Sequence, residues 1–267
     1  MSLLTLLILA VVQGVTEFLP ISSSAHLALL HQMNGSQESD LALDVAVHLG
    51  SIAAVILYLR GEALRAFRGL LYLHRADASR DGRLALGLVI ATVPAVALGT
   101  LIALAGWAEA LRDIRIIGWT MIVFGLALWW VHRIAPEARR EADWSLRTAV
   151  TLGLWQAVAL IPGVSRSGIT MTAARGLGYE RHTAARISML MSIPITLATG
   201  AYLARDVALA EASGALLQAA AIAALLAFAA AYAALVLMMK FLARVSFTPY
   251  VIYRVVLGVV LLGIGYL

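Results

Sequence analysis

Cysteine is absent from this 267-residue chain, and charged residues are scarce. Without cysteine the protein has no disulfide framework, no thiolate nucleophile and no thiolate metal ligand. Charged residues make up 13% of the chain and hydrophobic residues 62%, and the mean hydropathy is +0.90. This composition excludes an ordinary soluble domain and predicts a protein that crosses a membrane several times.

Basic residues are also missing from the start of the chain, where none occurs before Arg60. A secretory signal has a basic region before its apolar core, so we expect the first apolar segment to belong to the mature fold. The formal net charge of +5 is carried by loops between apolar runs. We therefore interpret the basic residues as topology signals, and we expect no nucleic-acid partner.

Six apolar runs are long enough to cross a bilayer, which takes about 20 residues of helix. They cover residues 42–59, 84–104, 114–132, 186–203, 215–239 and 249–267. Two further stretches, 2–30 and 146–177, are apolar but broken midway by proline and serines. A break at membrane depth is tolerated only where the backbone is buried in protein or faces a cavity. Each broken stretch therefore predicts a re-entrant helical hairpin.

Most of the basic residues fall in four regions, at 60–83, 133–147, 175–186 and 240–244. Six spans, with two hairpins that return to their own side, place all four regions on one face. The positive-inside rule assigns that face to the cytoplasm. Both termini are then expected outside, and the tips of the two hairpins, which enter from opposite sides, are expected to meet near the midplane.

The polar residues of one hairpin recur in the other at a constant spacing: Gln13, Ser22 and Ser24 correspond to Gln156, Ser165 and Ser167. Inverted repeats with broken helices are typical of transporters, whose sites lie where the breaks meet. We expect an all-α polytopic membrane protein with six transmembrane helices and two re-entrant helical hairpins in an inverted-topology repeat. The chain is expected to form a single integral membrane domain over 1–267, with pseudo-repeat halves at about 1–133 and 146–267.

Serines at both breaks indicate helix starts. The cluster at 22–24 offers N-cap residues for a helix from about Ala25 to Leu30. Ser165 or Ser167 can cap a helix that runs through Arg175. Two helix N-termini that point at one place attract anions, phosphates above all.

Arg166 and Glu17 are the charged residues at the breaks. The guanidinium of Arg166 matches phosphate oxygens, and a charge near the bilayer centre, which costs ~2.5–3.5 kcal/mol, needs a partner or a function. Glu17 either anchors helices or performs chemistry, as a cation ligand or a proton acceptor. An ion pair between the two that only holds the hairpins together is the structural alternative.

Three histidine and arginine side chains also bear on the site, each with two interpretations. His26 either holds neighbouring helices together through hydrogen bonds or acts as an acid or base near the serines and Glu17. His48 either lines the same cavity or packs between helices, and Arg254 either reaches the phosphate or snorkels to the inner face. The Ala-rich run at 219–234 indicates close helix packing.

QGVTEFLPISSSAHL, at residues 13–27, resembles the first signature of the bacterial undecaprenyl-diphosphate phosphatase family, and PGVSRSGIT, at 162–170, resembles the second. The resemblance extends over essentially the whole chain. It implies a membrane hydrolase that converts undecaprenyl diphosphate to undecaprenyl phosphate and inorganic phosphate in the bacterial cytoplasmic (inner) membrane. That reaction recycles the lipid carrier for peptidoglycan synthesis and cell wall biogenesis and gives bacitracin resistance. The resemblance also implies a divalent cation, Mg²⁺ or Ca²⁺.

Residue roles follow from the same resemblance. The catalytic positions are Glu17, Ser23, His26 and Arg166, with Glu17 also the metal ligand. The substrate-binding positions are Gln13, Ser22, Ser24, Ser165, Ser167, Gly168 and Arg254. One departure is Gln13, where many members of the family have Glu. Since the hairpin cores hold no acid besides Glu17, substrate phosphates and water would have to complete the cation site.

We expect Ser23 to attack the terminal phosphorus while Arg166 and the helix N-termini neutralise the developing charge. Glu17 would position the cation and His26 would assist proton transfer. Direct attack by water activated by His26 or Glu17 is the alternative mechanism. The substrate is expected to enter a site that opens to the periplasmic side, and a homodimer is an open alternative to a monomer.

The main rival function is a polyprenyl-lipid flippase or transporter, because the predicted fold is transporter architecture. An acid-phosphatase-like lipid phosphatase is set aside. That class has a histidine about six residues after its Ser-Arg pair, and Thr172 holds that position here.

Overall fold

The computed structural model describes residues 3–34, 41–72, 79–108, 110–209 and 214–267. Eleven α-helices lie within these ranges: α1 Leu3–Thr16, α2 Ser23–Asn34, α3 Leu41–Tyr58, α4 Arg60–Leu71, α5 Arg80–Leu104, α6 Ile114–Ile134, α7 Leu146–Val158, α8 Arg166–Gly176, α9 Arg181–Leu209, α10 Gly214–Leu242 and α11 Thr248–Tyr266. The all-helical class predicted from the sequence is confirmed.

Five helices are by themselves long and apolar enough to cross a membrane: α5, α6, α9, α10 and α11. They match five of the six predicted spans. The sixth, at 42–59, corresponds to α3, which bends by 97° into α4 and passes as a span together with it. The charged helix α4, with three arginines, is typical of a segment that lies in the membrane interface. The described chain therefore has five candidate spans, or six with the bent pair.

Both predicted hairpins are present as pairs of short helices. Residues 17–22 separate α1 from α2, and residues 159–165 separate α7 from α8. At 11 to 14 residues each, these helices are too short to cross a bilayer alone. Both breaks end in a serine with left-handed backbone, Ser22 at φ 73° and Ser165 at φ 69°. The helix pairs are observed, and their re-entrant path through the membrane stays a prediction.

Helices from the two sequence halves pack against one another. α1 and α3 lie on α10, and α6 lies on α11. The contact with α10 is close, because a Cβ added at Gly50 would lie 2.1 Å from the carbonyl oxygen of Ala224. At Gly14 the added Cβ would lie 2.6 Å from the Ala227 oxygen. The close packing predicted for the Ala-rich run is confirmed.

The four basic regions meet at one end of the bundle. Two ion pairs join the first three regions, Arg65 to Glu141 and Arg140 to Glu180. Arg181 donates to the carbonyl oxygen of Val245, the residue directly after the fourth region. Arg75 of the first region lies outside the described residues. The shared face predicted from the charge pattern is therefore observed for the parts of these regions that the structure describes.

We predict that Gly50→Ala lowers stability, because the new methyl group would force α3 away from the α10 backbone. Overpacking of this kind costs roughly 1–3 kcal/mol. Gly61→Ala is the matched control, since a Cβ at Gly61 meets nothing within 4 Å. In detergent the unfolding temperature of Gly50→Ala should be clearly lowered, and that of Gly61→Ala should not change. Equal unfolding temperatures for the two variants would contradict the packing described.

Candidate active site

The tips of the two breaks meet, as predicted, through two hydrogen bonds between a serine of one break and the backbone of the other. Ser24 Oγ accepts from the backbone N–H of Gly163 at 3.2 Å, and Ser167 Oγ donates to the carbonyl oxygen of Leu19 at 2.8 Å. Ser24 and Ser167 are corresponding residues of the two hairpins. Each hairpin thus uses the same serine position to hold the other.

The serines also shape each helix start. Ser165 Oγ accepts from the Gly168 N–H at 3.1 Å, so Ser165 is the N-cap of α8 and Ser167 lies inside its first turn. In the other hairpin α2 begins at Ser23, two residues before the predicted Ala25. Both helix N-termini therefore leave backbone N–H groups at the junction of the hairpins, where they favour an anion.

Glu17 is the centre of the polar contacts. Its Oε1 accepts from Arg166 Nη2 at 2.8 Å, and its Oε2 accepts from Gln13 Nε2 and Ser23 Oγ, each at 2.8 Å. The Glu17 and Arg166 side chains are 11% and 14% exposed, so the pair is largely shielded from solvent. The guanidinium of Arg166 also lies over the ring of Phe18. One carboxylate thus holds both a cation from the second hairpin and a hydroxyl of the first.

These groups line a cavity of about 340 Å³. Its polar lining is Glu17, Ser22, Ser23, Ser24, Asp44, His48, Gln156, Ser165, Arg166, Thr196 and Thr199. The rest of the lining is apolar and comes from α3, from α5, from the residues after α7 and from α9. The cavity therefore combines a cluster of polar side chains with an apolar surface.

Three predicted substrate-binding residues lie behind the cavity. Gln13 is fully buried and holds Glu17. Ser167 is bonded to Leu19, and a Cβ added at Gly168 would lie 2.6 Å from the guanidinium of Arg254. All three also contact a lining residue, Gln13 through Glu17 and the other two through Ser165 Oγ.

The expected proximity of His26 to Glu17 is not observed. His26 Nδ1 bonds the carbonyl oxygen of Ser22 at 2.7 Å, and its Nε2 bonds the hydroxyl of Tyr253 at 2.6 Å. Because a carbonyl only accepts, Nδ1 carries the proton and Nε2 accepts from the tyrosine. The imidazole of His48 does lie near Glu17, with Nε2 3.9 Å from Oε2.

Asp44 is a cavity residue that the sequence analysis missed. It lies one helical turn before His48 on α3, and the His48 Nδ1 donates to its carbonyl oxygen. The spacing of four residues on one helix face was the available signal. The hairpins themselves hold a single carboxylate, and α3 brings a second one to the cavity.

The donor set suits a hard cation only in part. Among the described residues, no group of three His, Cys, Asp or Glu side chains could hold a metal ion. Glu17 and Asp44 offer carboxylate oxygens, the ligands that Mg²⁺ and Ca²⁺ prefer. The residues present therefore fit a cation that phosphate oxygens complete.

Arg254 is fully buried in α11 and does not line the cavity. It donates to the carbonyl oxygens of Met121 at 3.2 Å, Pro20 at 3.4 Å, Gly163 at 3.0 Å and Val164 at 2.9 Å. Backbone carbonyls at a helix break lack helical partners, and a planar guanidinium has enough donors to satisfy several of them. Arg254 therefore joins both breaks to each other and to α6, and because it is fully buried it neither lines the cavity nor snorkels to a surface.

A family model described as bacitracin resistance protein BacA matches residues 6–260. The chain belongs to the BacA family. Among similar proteins, the undecaprenyl-diphosphatase of Jannaschia sp. (strain CCS1) is 53% identical over 267 residues. Those of Ruegeria pomeroyi and of Ruegeria sp. (strain TM1040) are 52% and 53% identical over 270 residues. Each alignment covers 100% of both proteins. The resemblance read from the two signatures is confirmed.

We predict that Arg254→Lys destabilises this BacA-family protein, because one ammonium cannot replace hydrogen bonds to four carbonyls. The unfolding temperature of the ligand-free protein should fall, whereas the exposed Arg115→Lys control should unfold normally. An unchanged unfolding temperature with a raised KM for lipid diphosphate would instead indicate a direct substrate contact.

Proposed function

We propose that this protein hydrolyses undecaprenyl diphosphate to undecaprenyl phosphate and inorganic phosphate. The observation that carries the proposal is the Glu17–Ser23–Arg166 contact inside the cavity. The relatives named undecaprenyl-diphosphatase, which align over the full chain, support it. Recycling of the lipid carrier for cell-wall synthesis and resistance to bacitracin follow from this activity.

The cavity suits both parts of such a substrate. Two helix N-termini and Arg166 favour the diphosphate, since a guanidinium offers paired N–H groups to phosphate oxygens. The apolar lining from α5 and α9 suits the start of a prenyl chain. A polar pocket with an apolar side allows the headgroup to leave water while the tail stays in lipid.

In the first step Ser23 Oγ attacks the terminal phosphorus. A P–Oγ bond forms, the bond to the bridging oxygen breaks, and undecaprenyl phosphate leaves. The Oγ proton passes to Glu17 Oε2, to which the hydroxyl already donates at 2.8 Å. Arg166 and the N–H groups of α2 and α8 stabilise the charge that develops on the phosphoryl oxygens.

In the second step water attacks the phosphorus and the P–Oγ bond breaks. Glu17 returns its proton to Oγ and receives one from the water, which it then releases to solvent. The products are inorganic phosphate and the original enzyme. Direct attack by water on the substrate is the alternative, and it would use the same carboxylate as base.

The remaining residues support these steps. We assign Mg²⁺ or Ca²⁺ to the carboxylates of Glu17 and Asp44 together with the substrate phosphates, whose charge the cation would neutralise. The contacts of His26 favour a positioning role, because its imidazole holds the carbonyl of Ser22 beside the nucleophile. His48 is the imidazole placed to exchange protons with Glu17.

The flippase or transporter alternative is not favoured, because the relatives are named for a diphosphatase.

The apolar helices and the family indicate a multi-pass membrane protein. We place it in the bacterial cytoplasmic membrane with its basic end in the cytoplasm, and with both termini and the cavity opening outside. The charge pattern supports this orientation, and a homodimer stays an open alternative to a monomer.

We predict that Ser23→Ala folds and still binds lipid diphosphate but loses nearly all turnover, because the hydroxyl is needed only in the chemical step. Phosphate release and binding of a non-hydrolysable diphosphate lipid would be measured on purified protein. Ser51→Ala, which removes a hydroxyl from α3 outside the cavity, is the matched control. Full turnover in Ser23→Ala would eliminate the serine nucleophile in favour of water.

Cation binding is predicted to depend on substrate, because Glu17 and Asp44 alone make an incomplete site. Calorimetry should find weak Mg²⁺ or Ca²⁺ affinity in the ligand-free protein and higher affinity with a non-hydrolysable diphosphate, as reciprocal linkage requires. Asp44→Asn, which leaves the Glu17–Arg166 pair intact, should reduce this increase in cation affinity. Tight binding to the ligand-free protein would contradict this assignment.

A further inference from the structure

The side-chain amide of Gln156 lines the cavity but has no role in the catalytic steps proposed above. It lies near the end of α7, lines the cavity and is 2% exposed. Its Nε2 donates to the carbonyl oxygen of Ala91 in α5 at 3.1 Å. Its Oε1 is buried, and no donor of the described residues lies within hydrogen-bonding distance of it.

A buried amide oxygen without a hydrogen-bond donor lowers the stability of the fold. A buried acceptor without a donor destabilises the fold by roughly 1–3 kcal/mol. Rotating the amide does not help, because Nε2 would then no longer serve the Ala91 carbonyl. A leucine or methionine would fill the same space at lower cost, so the tie to α5 alone does not account for an amide at the cavity.

The chemistry of the cavity restricts what this oxygen can bind. The neighbouring carboxylates accept hydrogen bonds, as do ionised phosphate oxygens, so neither can donate to it. The donors that line the cavity leave this oxygen without a hydrogen bond; they are Ser22, Ser23, Ser24, His48, Ser165, Arg166, Thr196 and Thr199. Water is the donor that the reaction brings in, since each turnover consumes one molecule.

The corresponding residue of the other hairpin has a different task. Gln13 donates its Nε2 to Glu17, and its Oε1 also lacks a described donor, but Gln13 does not line the cavity. The two equivalent glutamines therefore lie in different places: Gln13 holds the catalytic carboxylate from behind the cavity, and Gln156 is part of the cavity lining.

We propose that Gln156 is the positioning residue for the hydrolytic water, whose O–H donates to Gln156 Oε1. This inference rests on the proposed function. The hydrogen bond turns the lone pair of the water towards phosphorus, as a glutamine does for the attacking water in GTPases. The water oxygen bonds to phosphorus as the P–Oγ bond of Ser23 breaks. Glu17 protonates Oγ and takes up the proton lost by the water.

Two substitutions distinguish the positioning of water by Oε1 from the hydrogen bond that Nε2 donates to Ala91 in α5. Gln156→Leu removes both the acceptor and the donor. Gln156→Glu keeps an acceptor oxygen at the same length, but an ionised carboxylate cannot donate to Ala91. Gln218→Leu, at an exposed position of α10, is the matched control for folding and lipid binding.

The measurements are kcat, KM, unfolding temperature and rapid-quench labelling with substrate that carries ³²P on its terminal phosphate. For Gln156→Leu we expect kcat to fall roughly 100-fold, as for a misplaced reactant, with KM changed less than about threefold. Labelled enzyme should accumulate, because the water step is slowed. Gln156→Glu should regain part of kcat and show a raised KM, since its charge repels the diphosphate.

Two results would overturn the proposal, and a third would refute the serine mechanism on which it rests. Equal kcat losses in Gln156→Glu and Gln156→Leu, with a lowered unfolding temperature in both, would leave only the tie to Ala91. A raised KM with intact kcat in Gln156→Leu would make Gln156 a substrate contact. Unlabelled enzyme together with an active Ser23→Ala would refute the serine mechanism, and the kcat of Gln156→Leu would still decide whether Gln156 positions the attacking water.

Discussion

The ion pair between Glu17 and Arg166 links the fold of this protein to its chemistry. Each charge comes from a different broken helix pair, and their 2.8 Å contact is largely shielded from solvent. Removal of one partner would strand a buried charge, which is strongly destabilising, so neither hairpin can move away alone. The same carboxylate accepts from Ser23 and Gln13. The contact that joins the hairpins therefore also prepares the nucleophile.

The two breaks that carry this pair are stabilised from opposite sides. On the cavity side the serines bond across the junction, from Ser24 to Gly163 and from Ser167 to Leu19. On the other side Arg254 serves carbonyl oxygens of both breaks. The left-handed backbone at Ser22 and Ser165 is sterically unfavourable and persists because these contacts fix it. Backbone groups that lack helical partners at the breaks are thereby satisfied within the protein.

The positions of the helix breaks and helix starts could be predicted from the sequence. The directions in which side chains point across the bundle could not. Proline and serine clusters predicted both breaks and the helix starts, and the opposite charges of Glu17 and Arg166 made an ion pair between them one of two interpretations. The direction of His26 depends on the rotation of α2, which turns its imidazole towards Tyr253 on α11. Asp44 and Arg254 approach the junction from α3 and α11, far away in sequence. The 97° bend after α3 likewise depends on where α4 packs.

The central claim is that the buried pair acts in catalysis as well as in assembly, and a double neutral variant tests it most directly. Glu17→Gln combined with Arg166→Gln removes both charges together, so no buried charge is stranded. The initial rate of phosphate release from undecaprenyl diphosphate would be measured on the folded double variant. The account predicts a folded protein with almost no turnover, because both the base for Ser23 and the phosphate-binding guanidinium are gone. Turnover close to that of the unmodified protein would contradict it and show that the pair only holds the two hairpins together.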